Sequence, residues 1–430
     1  MALTGDGAPG ERISHLVRQR SGTRESLVGR VAYGSAGLLA LALLTACSAA
    51  GVEGKPDGVA MAGAGARAAS VTFSPADKAA DVPTDQPVVV SAQGGTLRSV
   101  RVEGDKSGSL DGVLSGDRTR WRSTVTARPG VTYTVTAVSV DAAGKQSQAK
   151  STFKTVKSDK TFDIKTITPN KDYTGLTVGV GMPIMIEFDQ PVADRVSVER
   201  NLTVRSSKPV EGAWHWFDDT HVDFRPRKYW PAHTKVRVDA KLAGVRGGPG
   251  MYGKRDVRIN FKIGREQITK GSTNTHVLTV RRNGKKIRTM PMSAGQGGQW
   301  KYYTTSGIHL AMSREPVTIM TSPGIGPGSP GYYRLTVYNT VRISNSGEYV
   351  HSAPWSVGSQ GHANVSHGCV NISPANAAWF IKNTLIGDPI IITGSPRKLE
   401  PLNGWGHWQE SWKQWLKWSS IKSGPTVNLP

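Results

Sequence analysis

From Ser70 to about Gly264 the chain is built of short runs in which apolar and polar side chains alternate, each closed off by glycine, proline, asparagine or aspartate. A period of two buries one face of a strand and leaves the other to water, whereas a helix needs apolar positions three and four apart. Forty-nine glycines and twenty-five prolines supply the turns, and aromatic residues are only 7% of the chain. That pattern excludes a helical bundle and points to many short strands in sandwiches or barrels. With 430 residues the chain has room for roughly three domains.

Two such cycles are visible. Over residues 69–158, runs at Val88–Val90, Ser99–Val102 and Tyr133–Val138 alternate between turns such as Arg128-Pro129-Gly130, with Trp121 expected in the core. Over 159–264 the same grammar returns, with strands at Ile184–Phe188 and Val257–Phe261. Neither cycle carries a catalytic constellation, and both read as spacers. His215 and His221, flanked by Trp214 and Trp216, are expected to pack rather than to react. Gly179-Val180-Gly181 is no nucleotide loop: position 184 is Ile where a third glycine should stand, and a strand follows instead of a helix.

A third unit spans 265–395. Val277–Arg282 and Lys285–Met290 are joined by Asn283-Gly284, which predicts a type I′ hairpin. Ser373-Pro374 predicts an N-cap and a first-turn proline ahead of a short helix over Ala375–Asn383. The Gly/Pro-rich segment 322–331 reads as an irregular connector or a flap over a cleft. In the extension 396–430, Trp405, Trp408, Trp412, Trp415 and Trp418 recur three and four apart, which predicts a stripe along one helix. Packing against neighbouring β structure is the expected role of that stripe, with membrane or glycan contact as its competitor.

The two cysteines have separate explanations. Residues 31–46 form an apolar run behind five arginines, too short for a convincing spanning helix and shaped like a secretory signal. The run ends in Leu44-Thr45-Ala46-Cys47, which resembles the lipobox of bacterial lipoproteins. The resemblance implies removal of 1–46, a lipid on Cys47, and a tether over 47–68 on the outer face of the cell membrane. The formal charge of +22 is spread along the chain without the dense basic clusters of a nucleic-acid groove, so no nucleic-acid partner is expected.

Cys369 is a lone thiol among histidines: His351, His362 and His367 lie close in sequence. Such a thiol is a candidate nucleophile, activated when a neighbouring imidazolium favours the thiolate. Gly368 can adopt backbone angles that turn successive N–H groups toward one oxyanion. Either His367, two residues away, or His351, eighteen upstream on a neighbouring strand, can serve as the base; the residues alone leave both open. A zinc site from the three histidines and Cys369 matches no ligand spacing of a closed site.

His351-Ser352-Ala353-Pro354-Trp355-Ser356 followed by Ser366-His367-Gly368-Cys369-Val370-Asn371 resembles the signature of L,D-transpeptidases with a YkuD-type catalytic domain. The resemblance extends to the actinobacterial lipoprotein branch, in which two immunoglobulin-like β-sandwich domains precede the β-rich catalytic domain. It implies Cys369 as nucleophile, His351 as general base and acid, and the Ser352 carbonyl as the group orienting that base. Backbone N–H groups around His367, Gly368 and Cys369 would form the oxyanion hole, and Tyr333, Trp355 and Asn371 would line the donor pocket. It further implies peptidoglycan stem peptides as substrates, carbapenem-type β-lactams as inhibitors, and neither metal nor other cofactor. The competing functions are a papain-like or NlpC/P60-like cysteine hydrolase, whose cysteine precedes its histidine in the chain, and a silent scaffold lipoprotein of the envelope.

Overall fold

A computed structural model describes residues 68–170, 177–322, 325–422, 424–425 and 427–428. The signal segment, Cys47 and nearly all of the tether lie outside the described residues.

The first sandwich is made of a four-stranded sheet (Ser70–Ser74, Val89–Gln93, Arg120–Ser123, Gly112–Leu114) and a five-stranded one (Ala79–Val82, Gln146–Thr155, Thr132–Asp141, Gly95–Gly104, Gly108–Ser109). The period of two is literal in Thr132–Asp141, where Tyr133, Val135 and Ala137 are buried. Trp121 joins them in the core, as expected.

The second sandwich has its own core, centred on Phe162, Phe188, Trp214, Trp216 and Trp230. One sheet runs Ile164–Thr168, Ile184–Phe188, His221–Pro226, Glu211–Trp216; the other runs Thr177–Val178, Val257–Ile263, Lys235–Ala240, Leu202–Ser206. The end of the chain completes both. Gly424–Pro425 adds antiparallel to Glu211–Trp216, and Val427–Asn428 adds parallel to Leu202–Ser206.

The third unit holds a five-stranded sheet (Lys285–Pro291, Val277–Arg282, Gln267–Ser272, Pro389–Thr393, Gly307–Leu310) and a four-stranded one (Ser313–Thr321, Arg334–Arg342, Tyr349–Ser352, Val370–Ile372). Asn283 and Gly284 have φ of 50° and 77°, the pair of positive values that a type I′ turn demands. The helix runs Pro374–Asn383, one residue earlier than expected, with the Ser373 hydroxyl accepting from the Asn376 N–H. Leu278, Met290, Val350, Val370, Ile372, Phe380 and Ile390 fill the core of this unit.

Gly179 and Gly181 serve close packing. Their N–H groups donate to the Ile386 and Gly387 carbonyls of the third unit at 2.7 and 3.0 Å. A Cβ on Gly179 would stand 2.2 Å from the Asp388 nitrogen. These glycines let the second sandwich lay bare backbone against the third unit, where any side chain would hold the two apart.

The tryptophan stripe is not one helix, which corrects the expectation. Only Trp412–Trp415 is α-helical, continued by a 3-10 turn at Leu416–Trp418; Trp405 and Trp408 lie in turns. Gly404, at φ 93°, and Gly406 break the helical course there. What aligns the rings is Arg225, whose guanidinium lies 4.8, 5.3 and 4.7 Å from the Trp408, Trp412 and Trp415 rings. Burial lowers the Arg225 pKa to about 10, leaving it charged at neutral pH. Trp415 is fully buried, donates its indole N–H to the Ala213 carbonyl, and stacks on His215 at 4.3 Å. His215 and His221 therefore belong to packing: His221 pairs with buried Asp223, whose other oxygen meets His407 of the extension at 2.6 Å.

Candidate active site

The parallel pairing of Tyr349–Ser352 with Val370–Ile372 sets the site, because it puts His351 opposite Asn371 and the entry to the second strand beside Tyr349. Cys369 stands at that entry. Its turn is held by hydrogen bonds: the Ser366 hydroxyl donates to the Cys369 carbonyl at 2.6 Å and accepts the Gly368 N–H at 3.1 Å. The Thr304 hydroxyl donates to the Gly368 carbonyl at 2.7 Å. Gly368 adopts φ 131°, which a side chain would disfavour. Alongside, the Ser293 and Asn371 backbones exchange N–H···O bonds at 2.9 and 2.8 Å.

A cavity of about 760 Å³ opens over this turn, lined by Cys369, His351, Tyr333, Trp355 and Asn371 among others. His351 is buried, and its Nδ1 lies 2.9 Å from the Ser352 carbonyl. A carbonyl only accepts, so Nδ1 carries the hydrogen and Nε2 keeps its lone pair. His367 is different: it is exposed, with its ring 4.8 Å from that of Tyr302 and 5.3 Å from that of Tyr333. Trp355 is 56% exposed, at 6.0 Å from the His351 ring. The Asn371 amide donates to the Ser356 hydroxyl at 3.1 Å and so ties down the turn that carries Trp355.

Two expectations change. The Gly368 N–H, expected to face an oxyanion, is engaged by Ser366, because the tight turn folds that amide back on its own segment. The thiol and imidazole are also not a thiolate–imidazolium pair. Burial lowers the His351 pKa to about 4. Burial first, and then the Glu348 charge, push Cys369 up to about 12 against a backbone hydrogen bond from Tyr349. The resting site is neutral, and its thiol donates weakly to the Gly347 carbonyl at 3.6 Å. His362 is exposed, and among the described residues no three His, Cys, Asp or Glu side chains converge on a metal position.

Glu348, Thr304, Thr305 and His309 were not singled out from the sequence, and Ser366 stood in the motif without a role. The signal for Glu348 was present: strand alternation puts it on the face of Val350, a core residue, where a carboxylate is out of place.

The buried imidazole makes stability depend on pH. His351 titrates at about 4 when folded and near 6.5 when free, so the unfolded chain binds more protons between those values. The contribution is fully present well above pH 6.5 and falls as pH drops toward 4, by about 1.5 kcal/mol between pH 6.5 and 5. Urea denaturation across this window should show that slope in the wild type and lose this component in His351→Gln.

A family profile of the L,D-transpeptidase catalytic domain matches residues 268–392, and a bacterial Ig domain profile matches 79–246, spanning parts of both sandwiches. The chain is 36% identical over 358 residues to L,D-transpeptidase 5 of Mycobacterium tuberculosis, covering 82% of this chain and 77% of that protein. It is 38% identical over 348 residues to L,D-transpeptidase 2 of the same organism, covering 80% and 83%. A solved L,D-transpeptidase in complex with imipenem is 39% identical over 54% of this chain and 99% of that one, with a TM-score of 0.46.

Proposed function

This chain belongs to the L,D-transpeptidase family, and on that premise we propose that it forms 3→3 peptidoglycan cross-links through a thioester on Cys369. The observation that carries the reading is the imidazole whose Nδ1–H is fixed on the Ser352 carbonyl in the cavity that also holds Cys369. That arrangement leaves Nε2 as the acceptor for the thiol proton. His367, exposed between two tyrosine rings, has no such anchor and serves as a wall of the donor pocket with Tyr333 and Trp355.

Because the resting pair is neutral, the S–H proton passes to His351 Nε2 as the sulfur attacks the carbonyl joining the third stem residue to D-Ala. The sulfur turns from the Gly347 carbonyl toward the imidazole to do so. Backbone N–H groups of the His367–Cys369 turn stabilise the oxyanion once Gly368 exchanges Ser366 for substrate. The C–N bond breaks, D-Ala leaves with the proton from His351, and a thioester remains. The side-chain amine of a second stem attacks it, His351 takes the amine proton, the C–S bond breaks, and the thiolate is reprotonated. Peptide-bond energy is conserved in the thioester, so no nucleotide is consumed. By the same attack a carbapenem-type β-lactam would acylate Cys369. Lipid attachment at Cys47 and residence on the outer face of the membrane belong to this proposal and rest on the Leu44–Cys47 motif.

Intact-mass analysis after incubation with a disaccharide-tetrapeptide tests it. The expected result is an adduct of the tetrapeptide less D-Ala, together with a cross-linked dimer. Free tripeptide stems as sole product would indicate a hydrolase, and no adduct at all would leave a scaffold.

A further inference from the structure

Behind the nucleophile lies a buried polar chain that the mechanism above does not use. Glu348 is 4% exposed, and its carboxylate accepts the Thr305 N–H at 2.6 Å and the Thr305 hydroxyl at 2.8 Å. The Thr305 oxygen lies 2.7 Å from Nε2 of His309, a fully buried histidine whose Nδ1 has no partner. Since the Thr305 proton points to Glu348, the imidazole must donate to Thr305, and hydrogen bonding runs one way from His309 through Thr305 to the carboxylate. Glu348 is fixed at its backbone too: its N–H reaches the Ser344 hydroxyl at 3.1 Å and its carbonyl accepts the Ile343 N–H at 2.9 Å.

This clamp sits between the two residues that touch the sulfur. Gly347, which precedes Glu348, offers the carbonyl that takes the thiol hydrogen, and Tyr349, which follows it, supplies the backbone hydrogen bond to the sulfur. The titratable and charged groups that line the cavity with Cys369 are His351 and Tyr349 from its neighbouring strand, Tyr333, His367 from its own turn, Lys301, Arg397 and Glu348 itself. Glu348 is the one acid among the described residues of that lining. Burial pushes its carboxyl up, but hydrogen bonding and charge from His309, with the Thr305 bond, outweigh this and keep it below its ordinary value, so it is an anion.

We propose that Glu348 is a positioning residue for the nucleophile: anchored by Thr305 and His309, it places the Gly347 carbonyl and a negative charge so that Cys369 stays as S–H until His351 removes the proton. The inference rests on Cys369 being the nucleophile. A fixed anion beside a thiol disfavours the thiolate. The thiol is thereby kept unreactive toward adventitious electrophiles, and the proton departs only when carbonyl, sulfur and imidazole are aligned.

The test is the rate of Cys369 alkylation by iodoacetamide from about pH 6 to 10, read by peptide mass on the full chain, because the thiolate is the reacting form. Glu348→Gln keeps the shape and removes the charge. It is expected to raise the rate about tenfold at any pH below the thiol midpoint, as a midpoint lowered by about one pH unit would. Thr305→Val, which strips a donor from the carboxylate and so favours its protonated form, should shift the profile in the same direction by less. It also provides the test if Glu348→Gln fails to fold. Profiles that superimpose on the wild type would overturn the proposal, since a role in packing alone would leave them unmoved. Alkylation needs no muropeptide, so a shifted profile without cross-linking would sink the transpeptidase reading and spare this one, and the reverse outcome would do the opposite.

Discussion

Cys369→Ala is expected to abolish both the acyl adduct and the cross-linked dimer, a loss of about 10⁴-fold or more in rate. The size of the effect follows from the chemistry: without the sulfur there is no covalent intermediate, and the remaining oxyanion donors have nothing to stabilise. The fold should barely notice. The Cys369 sulfur makes a weak S–H···O contact to Gly347 and takes a backbone hydrogen bond from Tyr349, and its turn is held by Ser366 and Thr304 instead. Melting within a few degrees of the wild type, alongside lost adduct, is the expected pair of results. Undiminished dimer formation by the variant would remove Cys369 from the mechanism. A variant that loses both melting and activity would indicate that the thiol is structural.

The largest effect on stability is expected far from the cleft, at Trp415→Ala. The ring is wholly buried, stacks on His215, faces the Arg225 guanidinium and donates to the Ala213 carbonyl. Truncation leaves a cavity and an orphaned carbonyl, and uncovers one face of a buried cation, which together cost about 3–5 kcal/mol. A second anchor shares the load. Glu199, fully buried, accepts from the Trp216 indole, the Ser419 hydroxyl and the Ser420 N–H, so detaching the extension strands an uncompensated carboxylate as well. Thermal or urea unfolding measures this directly. Unchanged stability with altered binding to cell-wall material would instead make the tryptophans a contact surface.

The features legible in the sequence were those with local causes. Alternation located the strand Ile184–Phe188, Asn283-Gly284 located a hairpin, and Ser373-Pro374 located a helix start, because each depends on neighbouring backbone angles. The motif around His351 and Cys369 marked two segments that the fold brings to one cavity, where His351 Nδ1 lies 2.9 Å from the Ser352 carbonyl. Effects of three-dimensional burial were not legible. The neutral thiol, the engagement of the Gly368 amide, and the Glu348–Thr305–His309 chain depend on segments dozens of residues apart. The tryptophan spacing misled for the same reason: rings three and four apart imitate a helix, whereas a single arginine on a distant strand gathers three of them, Trp408, Trp412 and Trp415.

The strands Gly424–Pro425 and Val427–Asn428 finish sheets whose other members are complete by Ile263. During synthesis the second sandwich must therefore wait, its margins unpaired, until the catalytic unit has been made and the final residues emerge. Proteolytic clipping near residue 420 would return the molecule to that unfinished state and expose two open backbone edges to self-association.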